Sequence, residues 1–391
     1  MKTESDSFVP LMKRSKGFEG LYETVIAREL CSLCGGCQLV CERVRFGSET
    51  PEPETGEFSR TWKLSDATRI GMTPELVKEC NMKIGAIRCG EDGSCYDNCP
   101  MTVESLEALE EKIFGSPTSD KDFGQFLEIV GARSLKEEVR TVAQDGGTVT
   151  SVLLAALSKN LIEGAVVTGR SSDWAPGAHL ATTPEEIIAS AGTKYSRTPA
   201  AAKISPSLRA KKNLAFVGTS CQTTAAGNYR HQFLSKISQV NLFIIGLFCF
   251  ENFPHDQLTN VLEKKFGVSM DEVVKTDITK GKFRIELKDG KILEEKVSKF
   301  DSIVPLSCKV CTNFTARLAD ISVGAIGTPH GWNTVIIRTP RGKELIDSAI
   351  AEGLIETTSE VDLEAIRKNI RLKEKKRAAH EDKIPSIAAS K

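Results

Sequence analysis

Twelve cysteines are the residues of this 391-residue chain best able to do chemistry, and they are unevenly placed. Eight fall in the first hundred residues, and the last four are Cys221, Cys249, Cys308 and Cys311. Cys31, Cys34, Cys37 and Cys41 form a C-x2-C-x2-C-x3-C run. That spacing wraps three thiolates around one iron–sulfur cubane and hands the fourth to a neighbouring cluster. Gly35 and Gly36 would relieve crowding where the backbone passes the sulfides. A zinc site does not need four cysteines so close together. The second run, Cys80, Cys89, Cys95 and Cys99, has stretched early spacings and ends C-x3-C-Pro. If ligands cross over, Cys31, Cys34, Cys37 and Cys99 hold one 4Fe–4S cluster, and Cys80, Cys89, Cys95 and Cys41 the other. Glu42 stands where such a run ordinarily has proline. The alternative for the second run is a structural metal or spare thiols. Two clusters in series carry single electrons and make no bonds, so the remainder of the chain must supply or accept those electrons.

The elements that position these residues follow from pattern. Residues 115–124, GSPTSDKDFG, read as a linker. Beyond it, Val149–Leu157 opens as an apolar helix. Residues 164–168, 213–217, 240–248, 321–323 and 334–337 read as strands. Residues 283–297 alternate around Asp289-Gly290, a hairpin turn. Lys343–Ala351 reads as a helix with Gly353 as its C-cap. Strands mixed with helices and a hairpin predict an α/β fold with a mixed sheet. Three regions are expected: residues 1–120, an iron–sulfur module; residues 121–355, the larger domain; and residues 356–391, a basic helical tail. In the tail Leu363, Ile366 and Ile370 recur at helical spacing among Arg367, Lys368, Arg371, Lys373, Lys375, Lys376 and Arg377. It reads as a solvated helix that frays, with a basic docking helix as the alternative.

Composition excludes several classes. Lys plus Arg and Asp plus Glu both number 52, so the net charge is zero, which argues against nucleic-acid binding through bulk charge. Hydrophobic residues at 40% and charged residues at 27% are globular values. The longest apolar run, Leu242 to Phe250, is far short of a membrane span, and the first residues lack a signal-peptide core. A cytoplasmic chain is expected, free or peripheral to a membrane complex, in which thiols serve metal or redox chemistry rather than disulfides.

The larger domain carries further candidates. Gln144-Asp145-Gly146-Gly147-Thr148 is a glycine turn opening a helix, where backbone N–H groups can cradle a phosphate, although most such turns are only turns. Gly192-Thr193-Lys194-Tyr195 joins a hydroxyl, a cation and a phenol. Gly218-Thr219-Ser220-Cys221-Gln222 follows a buried strand, the edge at which α/β sheets bind ligands. Cys249-Phe250-Glu251-Asn252-Phe253 follows another strand. With Cys308 and Cys311 these cysteines make either a third four-thiolate site, or two buried free thiols and a lone Cys-x2-Cys pair.

These phrases, together with TKGKF (Thr279–Phe283), CKVCTNFTARLADISVGAIG (Cys308–Gly327) and GWNTVIIRT (Gly331–Thr339), resemble the beta subunits of coenzyme F420-reducing hydrogenases and F420-linked dehydrogenases. The resemblance runs from about Val130 to the tail. The N-terminal cysteine module is similar to that of the F420H2 dehydrogenase input subunit or the formate dehydrogenase beta subunit. The resemblance implies a flavin-binding α/β domain behind a ferredoxin-like two-cluster module. It implies FAD, three 4Fe–4S clusters and coenzyme F420 as substrate. Cys221, Cys249, Cys308 and Cys311 become the ligands of the third cluster. Gln144 to Thr148 and Gly192 to Tyr195 become flavin-binding, with Glu251 and Asn252 beside them. Lys194, Lys280 and Lys282 would neutralise phosphates or the reduced flavin, or are ordinary surface lysines. Ser220 replaces a usual proline, and His330 stands where Asp is common. No acid–base residue is required. The implied partners are other subunits of a hydrogenase, formate dehydrogenase or F420H2 dehydrogenase complex, or a soluble ferredoxin-type acceptor. The alternatives are a flavin-free electron-transfer subunit and a front end for another reductase, such as sulfite reductase.

Overall fold

The computed structural model describes residues 20–41, 44, 93–103, 105–171, 174–235 and 237–384. The core strands are β1 (Glu128–Ser134), β2 (Gly164–Arg170), β3 (Pro176–Ala181), β4 (Asn213–Thr219), β5 (Asn241–Leu247), β9 (Ile321–Gly324), β10 (Asn333–Ile337) and β11 (Ile355–Thr358). They form one sheet in the order β11-β1-β10-β9-β5-β4-β2-β3. The central strands β2, β4, β5 and β9 run parallel, and β3, β1, β10 and β11 complete the sheet through antiparallel pairings. The sheet is therefore mixed, as expected.

Strands β4 and β5 are nearly continuous in apolar residues because helices cover both faces. Ala165, Val167, Ala215, Phe243 and Ile245 pack on one side with Val152, Leu153 and Ala156 of the Thr148–Ser158 helix and Leu345, Ile346 and Ala349 of the Pro340–Ala351 helix. Their neighbours Val166, Leu214, Phe216, Leu242 and Ile244 pack on the other side with Ala200, Ala201, Ile204 and Ala226. This alternation is the strand period of two.

A second sheet holds β6 (Val273–Thr279), β7 (Lys282–Leu287) and β8 (Ile292–Lys296), all antiparallel. Phe283, Ile285 and Leu287 of β7 are buried against Leu258 and Leu262 of the His255–Phe266 helix. The β7–β8 hairpin turns at Asp289-Gly290, with Gly290 at φ 82°.

Two expectations change. The 115–124 segment is not a loose linker. The Glu110 carboxylate accepts from Thr118 Oγ1 (2.8 Å) and from the N–H of Gln125 (2.6 Å), and Arg317 bonds Glu107 (2.9 Å) and Glu110 (2.5 Å). The tail is not a fraying solvated helix either. Leu363–Ala378 is capped by Asp362, which accepts from Ala365 N–H at 3.0 Å, and it buries Ile366, Ile370 and Lys373. Ile366 and Ile370 close an apolar cluster with Phe123, Phe314 and Ile336. Among the described residues no helix is long and apolar enough to cross a membrane.

Candidate functional site

Cys221 lies in the first turn of the Ser220–Tyr229 helix, directly after β4. That helix starts at a capping box in which Gln222 Oε1 accepts from the N–H of Thr219 at 2.8 Å. Cys249 follows β5, and its N–H donates to the Phe314 carbonyl at 2.9 Å. Cys308 sits in the Leu306–Val310 turn and Cys311 ends it. Three separate segments thus deliver four half-buried free thiols to the carboxyl edge of the parallel strands.

Electrostatics show that the four are neighbours. Burial pushes Cys221 up to about 12, with further repulsion from Cys34, Cys311 and Cys308. Burial also raises Cys249, which Cys308, Cys221 and Cys311 repel and the Lys373 ammonium opposes. Cys308 is raised by burial, against the pull of Lys373 and Arg197.

The N-terminal thiols form a second assembly. Cys31, Cys34, Cys37, Cys41, Cys95 and Cys99 are all buried and outside any disulfide. Burial raises Cys37 well above the thiol range, and Cys31, Cys34, Cys99 and Cys95 add repulsion. Burial pushes Cys95 up to about 12, and its nearest thiol influence is Cys41. Cys37 thus feels Cys31, Cys34, Cys99 and Cys95, and Cys95 also feels Cys41, so the six thiols form one connected group. Cys80, Cys89 and Glu42 lie outside the described residues. Among the described residues no three Cys, His, Asp or Glu side chains are arranged to hold a single metal ion. Four thiols are a soft donor set, the chemistry that iron–sulfur clusters take as ligands.

The two assemblies abut, because Cys34 is the thiol that most repels Cys221. Gly35 makes this approach possible. It adopts φ 83°, and a Cβ there would lie 2.6 Å from both Ala202 N and the Pro199 carbonyl. The larger domain pressing on the loop therefore leaves no room for a side chain at Gly35. Ala201 N–H donates to the Cys34 carbonyl at 3.1 Å, Arg197 Nη1 to the Cys31 carbonyl at 3.1 Å, and Asn228 Nδ2 to the Asp97 carbonyl at 2.8 Å.

The glycine turn and the Gly192–Tyr195 segment also meet. Gln144 accepts from Thr193 N–H at 3.1 Å and donates to Asp277 of β6 at 2.9 Å. Tyr195 Oη accepts from Ile278 N–H at 3.1 Å. Thr148 Oγ1 donates to the Ala132 carbonyl at 3.0 Å, and Asp145 accepts from the N–H of Gly331.

The fit to a flavin phosphate is partial. A Cβ on Gly146 would meet Asn333 Oδ1 at 2.7 Å, and one on Gly147 would meet Val139 Cγ1 at 2.9 Å. These glycines accommodate protein atoms rather than an open cradle. Lys194 is buried, and its Nζ donates to the carbonyls of Ser190 (2.5 Å), Ala191 (3.1 Å) and Gly192 (2.8 Å), so it caps the preceding helix. Glu251 is buried against Lys376 at 2.5 Å. Lys282 pairs with Glu294 at 2.6 Å, and Lys280 is exposed on the β6–β7 turn. The Asn252 carbonyl faces Cys308 Sγ at 3.8 Å. Of Gly146, Gly147 and Gly192, only Gly192 has open space, with the Val142 carbonyl near at 3.5 Å. An open groove of about 800 Å³ lined by Leu127, Leu161, Pro340 and Lys343 contains none of these residues.

Sequence reasoning missed Lys373, Arg197 and the rings beside Cys249, where Phe314 packs tilted on Phe248 (centroids 5.4 Å apart) and edge-on to Phe250 (6.4 Å). Lys373 carried a signal. It continues the 363, 366, 370 spacing by three, so it occupies the buried stripe of its helix.

The sheet and its edge of converging thiols define a mixed α/β protein built around thiol sites. The family profile described as "Coenzyme F420 hydrogenase/dehydrogenase, beta subunit N-term" matches residues 129–205, and the companion profile for the carboxyl-terminal part of the same beta subunit matches residues 211–362. The chain is 36% identical to coenzyme F420 hydrogenase subunit beta of Methanothermobacter thermautotrophicus, over 68% of this chain and 96% of that one. It is 29% identical to a subunit of the F(420)H(2) dehydrogenase of Methanosarcina mazei, over 91% of this chain and 92% of that one. A chain of the xenon-derivatised F420-reducing [NiFe] hydrogenase complex of Methanosarcina barkeri superposes with a TM-score of 0.63 at 32% identity, covering 67% of this chain and 94% of that one. The chain belongs to the coenzyme F420 hydrogenase/dehydrogenase beta-subunit family.

Proposed function

We propose that this chain is an oxidoreductase subunit that exchanges hydride with coenzyme F420 and passes single electrons to or from partner subunits of a larger complex. The observation that carries this reading is the convergence of Cys221, Cys249, Cys308 and Cys311 at the strand edge, beside Cys34. These four residues would hold one 4Fe–4S cluster. Cys31, Cys34, Cys37 and Cys99 would hold a second, and Cys41 and Cys95, with Cys80 and Cys89, a third. FAD, when bound, converts a hydride pair into single electrons, which iron–sulfur clusters carry one at a time. The FAD reading rests on the family resemblance and on the open side of Gly192, with Gln144, Thr193 and Tyr195 forming the wall around it.

The chain's own residues do the positioning. The rings of Phe248, Phe250 and Phe314 pack against one another beside Cys249. Arg197 ties the Cys31 loop to the larger domain. The near-complete overlap with the dehydrogenase relative, against two thirds with the hydrogenase relative, supports a module added in front of the shared domain.

The test is anaerobic titration of the full chain with reduced F420, following F420 absorbance, flavin content and iron. Three clusters need about twelve irons per chain. F420 oxidation coupled to bleaching of bound flavin and iron–sulfur absorbance is the expected result. Full iron with no flavin and no F420 turnover would make the chain a plain electron-transfer subunit.

A further inference from the structure

Lys373 is a charged side chain that the sequence pattern puts on the buried face of the last helix, and only 2% of it is exposed. Its Nζ donates to the carbonyls of Cys249 (2.8 Å) and Phe250 (2.7 Å). A buried ammonium with two carbonyl partners still lacks a counter-ion, and an unpaired buried cation is costly. One of those partners, Cys249, belongs to the set Cys221, Cys249, Cys308 and Cys311, and the other, Phe250, is the residue after it. The neighbouring carboxylates are engaged elsewhere on the same helix face: Glu251 pairs with Lys376 at 2.5 Å, and Asp301 lies 3.8 Å from Lys376. The charge of Lys373 therefore sits against the backbone of Cys249, one of the four cysteines. The Phe250 ring centroid lies 5.8 Å from Nζ.

We propose that Lys373 is a positioning residue whose buried positive charge sets the electron affinity of the group held by Cys221, Cys249, Cys308 and Cys311. The proposal rests on the reading that these cysteines hold an iron–sulfur cluster. Adding one electron there reduces one ferric centre to ferrous, with no bond made and no proton moved. The added negative charge is stabilised by a cation that water cannot screen. Electrons entering from F420 would thus meet a site biased towards holding them before the N-terminal thiol assemblies. Arg197 is a second cation whose charge acts on Cys308.

The test uses the full chain, purified anaerobically, as Lys373→Met and Lys373→Arg. Iron per chain and EPR-monitored dithionite titrations are read, and the relevant signal is the one missing from Cys308→Ala. Lys373→Met should keep its iron and lose at least tenfold in electron affinity, a fall of about 59 mV for a one-electron couple. Lys373→Arg should stay near the wild-type midpoint. A Lys373→Met midpoint equal to wild type with full iron overturns the proposal. So does a Lys373→Arg midpoint displaced as far as that of Lys373→Met, since the role would then lie in the amine's hydrogen bonds. If Lys373→Met sheds iron, Lys373→Gln, which keeps a donor without the charge, is judged by the same criterion. If Cys308→Ala leaves iron and spectrum unchanged, the four-cysteine reading has failed and this proposal falls with it.

Discussion

Gly147 separates a structural from a ligand-binding reason for a residue. It begins the Thr148–Ser158 helix at φ 74°, and a side chain would strike Val139. Gly147→Val should cost roughly 1–3 kcal/mol, the usual penalty of a strained backbone position. The melting temperature should drop while the flavin-to-iron ratio of the folded fraction stays constant. Selective flavin loss at unchanged stability would instead restore the cradle reading. Lys194 teaches the same lesson. A lysine beside a glycine turn reads as a phosphate partner, yet its three protons meet three carbonyls. Sequence spacing marks the Cys31–Cys41 run and the Cys308-x2-Cys311 pair, whereas Cys221 and Cys249 stand alone in sequence and join that pair only in the fold. It does not say what a glycine or lysine faces, because that depends on segments far away in the chain, such as Trp332 and Asn333.

At the scale of elements, the buried central strands β2, β4, β5, β9 and β10 were legible because they are short, apolar and bounded by turn residues. The outer strands β1, β3 and β11 were not. Residues 128–134 include Gly, Arg and Ser, residues 176–181 begin with Pro-Gly, and residues 355–358 are too short for a pattern. Their strand character comes from pairing with neighbours already in place. The last helix was misjudged for a related reason. Its seven basic residues suggested solvent, whereas its stripe of Ile366, Ile370 and Lys373 closes over Phe314 and the Cys249 loop. Ile370→Ala should cost about 2–5 kcal/mol through transfer and cavity terms. Thermal unfolding and the rate of iron loss to a chelator check this. Faster loss of about four irons, with the rest retained, is expected if the helix covers one cubane. Uniform loss of all iron would show that the helix supports the molecule generally.

In the whole molecule, the N-terminal thiols and the strand-edge thiols form one continuous arrangement, joined by Cys34, Gly35, Arg197 and Asn228. Arg338 extends the joint. It donates to the carbonyls of Phe123 (2.6 Å), Gln125 (2.9 Å) and Thr315 (3.0 Å), fastening the 115–124 loop to the segment after Cys311. The central claim is that electrons pass between F420 and the N-terminal thiol assemblies through the site of Cys221, Cys249, Cys308 and Cys311. Rapid-freeze EPR after mixing the anaerobic full chain with reduced F420, in wild type and Cys308→Ala, tests it most directly. In wild type the N-terminal iron–sulfur signals should grow as F420 is oxidised. In Cys308→Ala those signals should rise far more slowly, with their iron retained. Growth at the wild-type rate in Cys308→Ala would contradict the account.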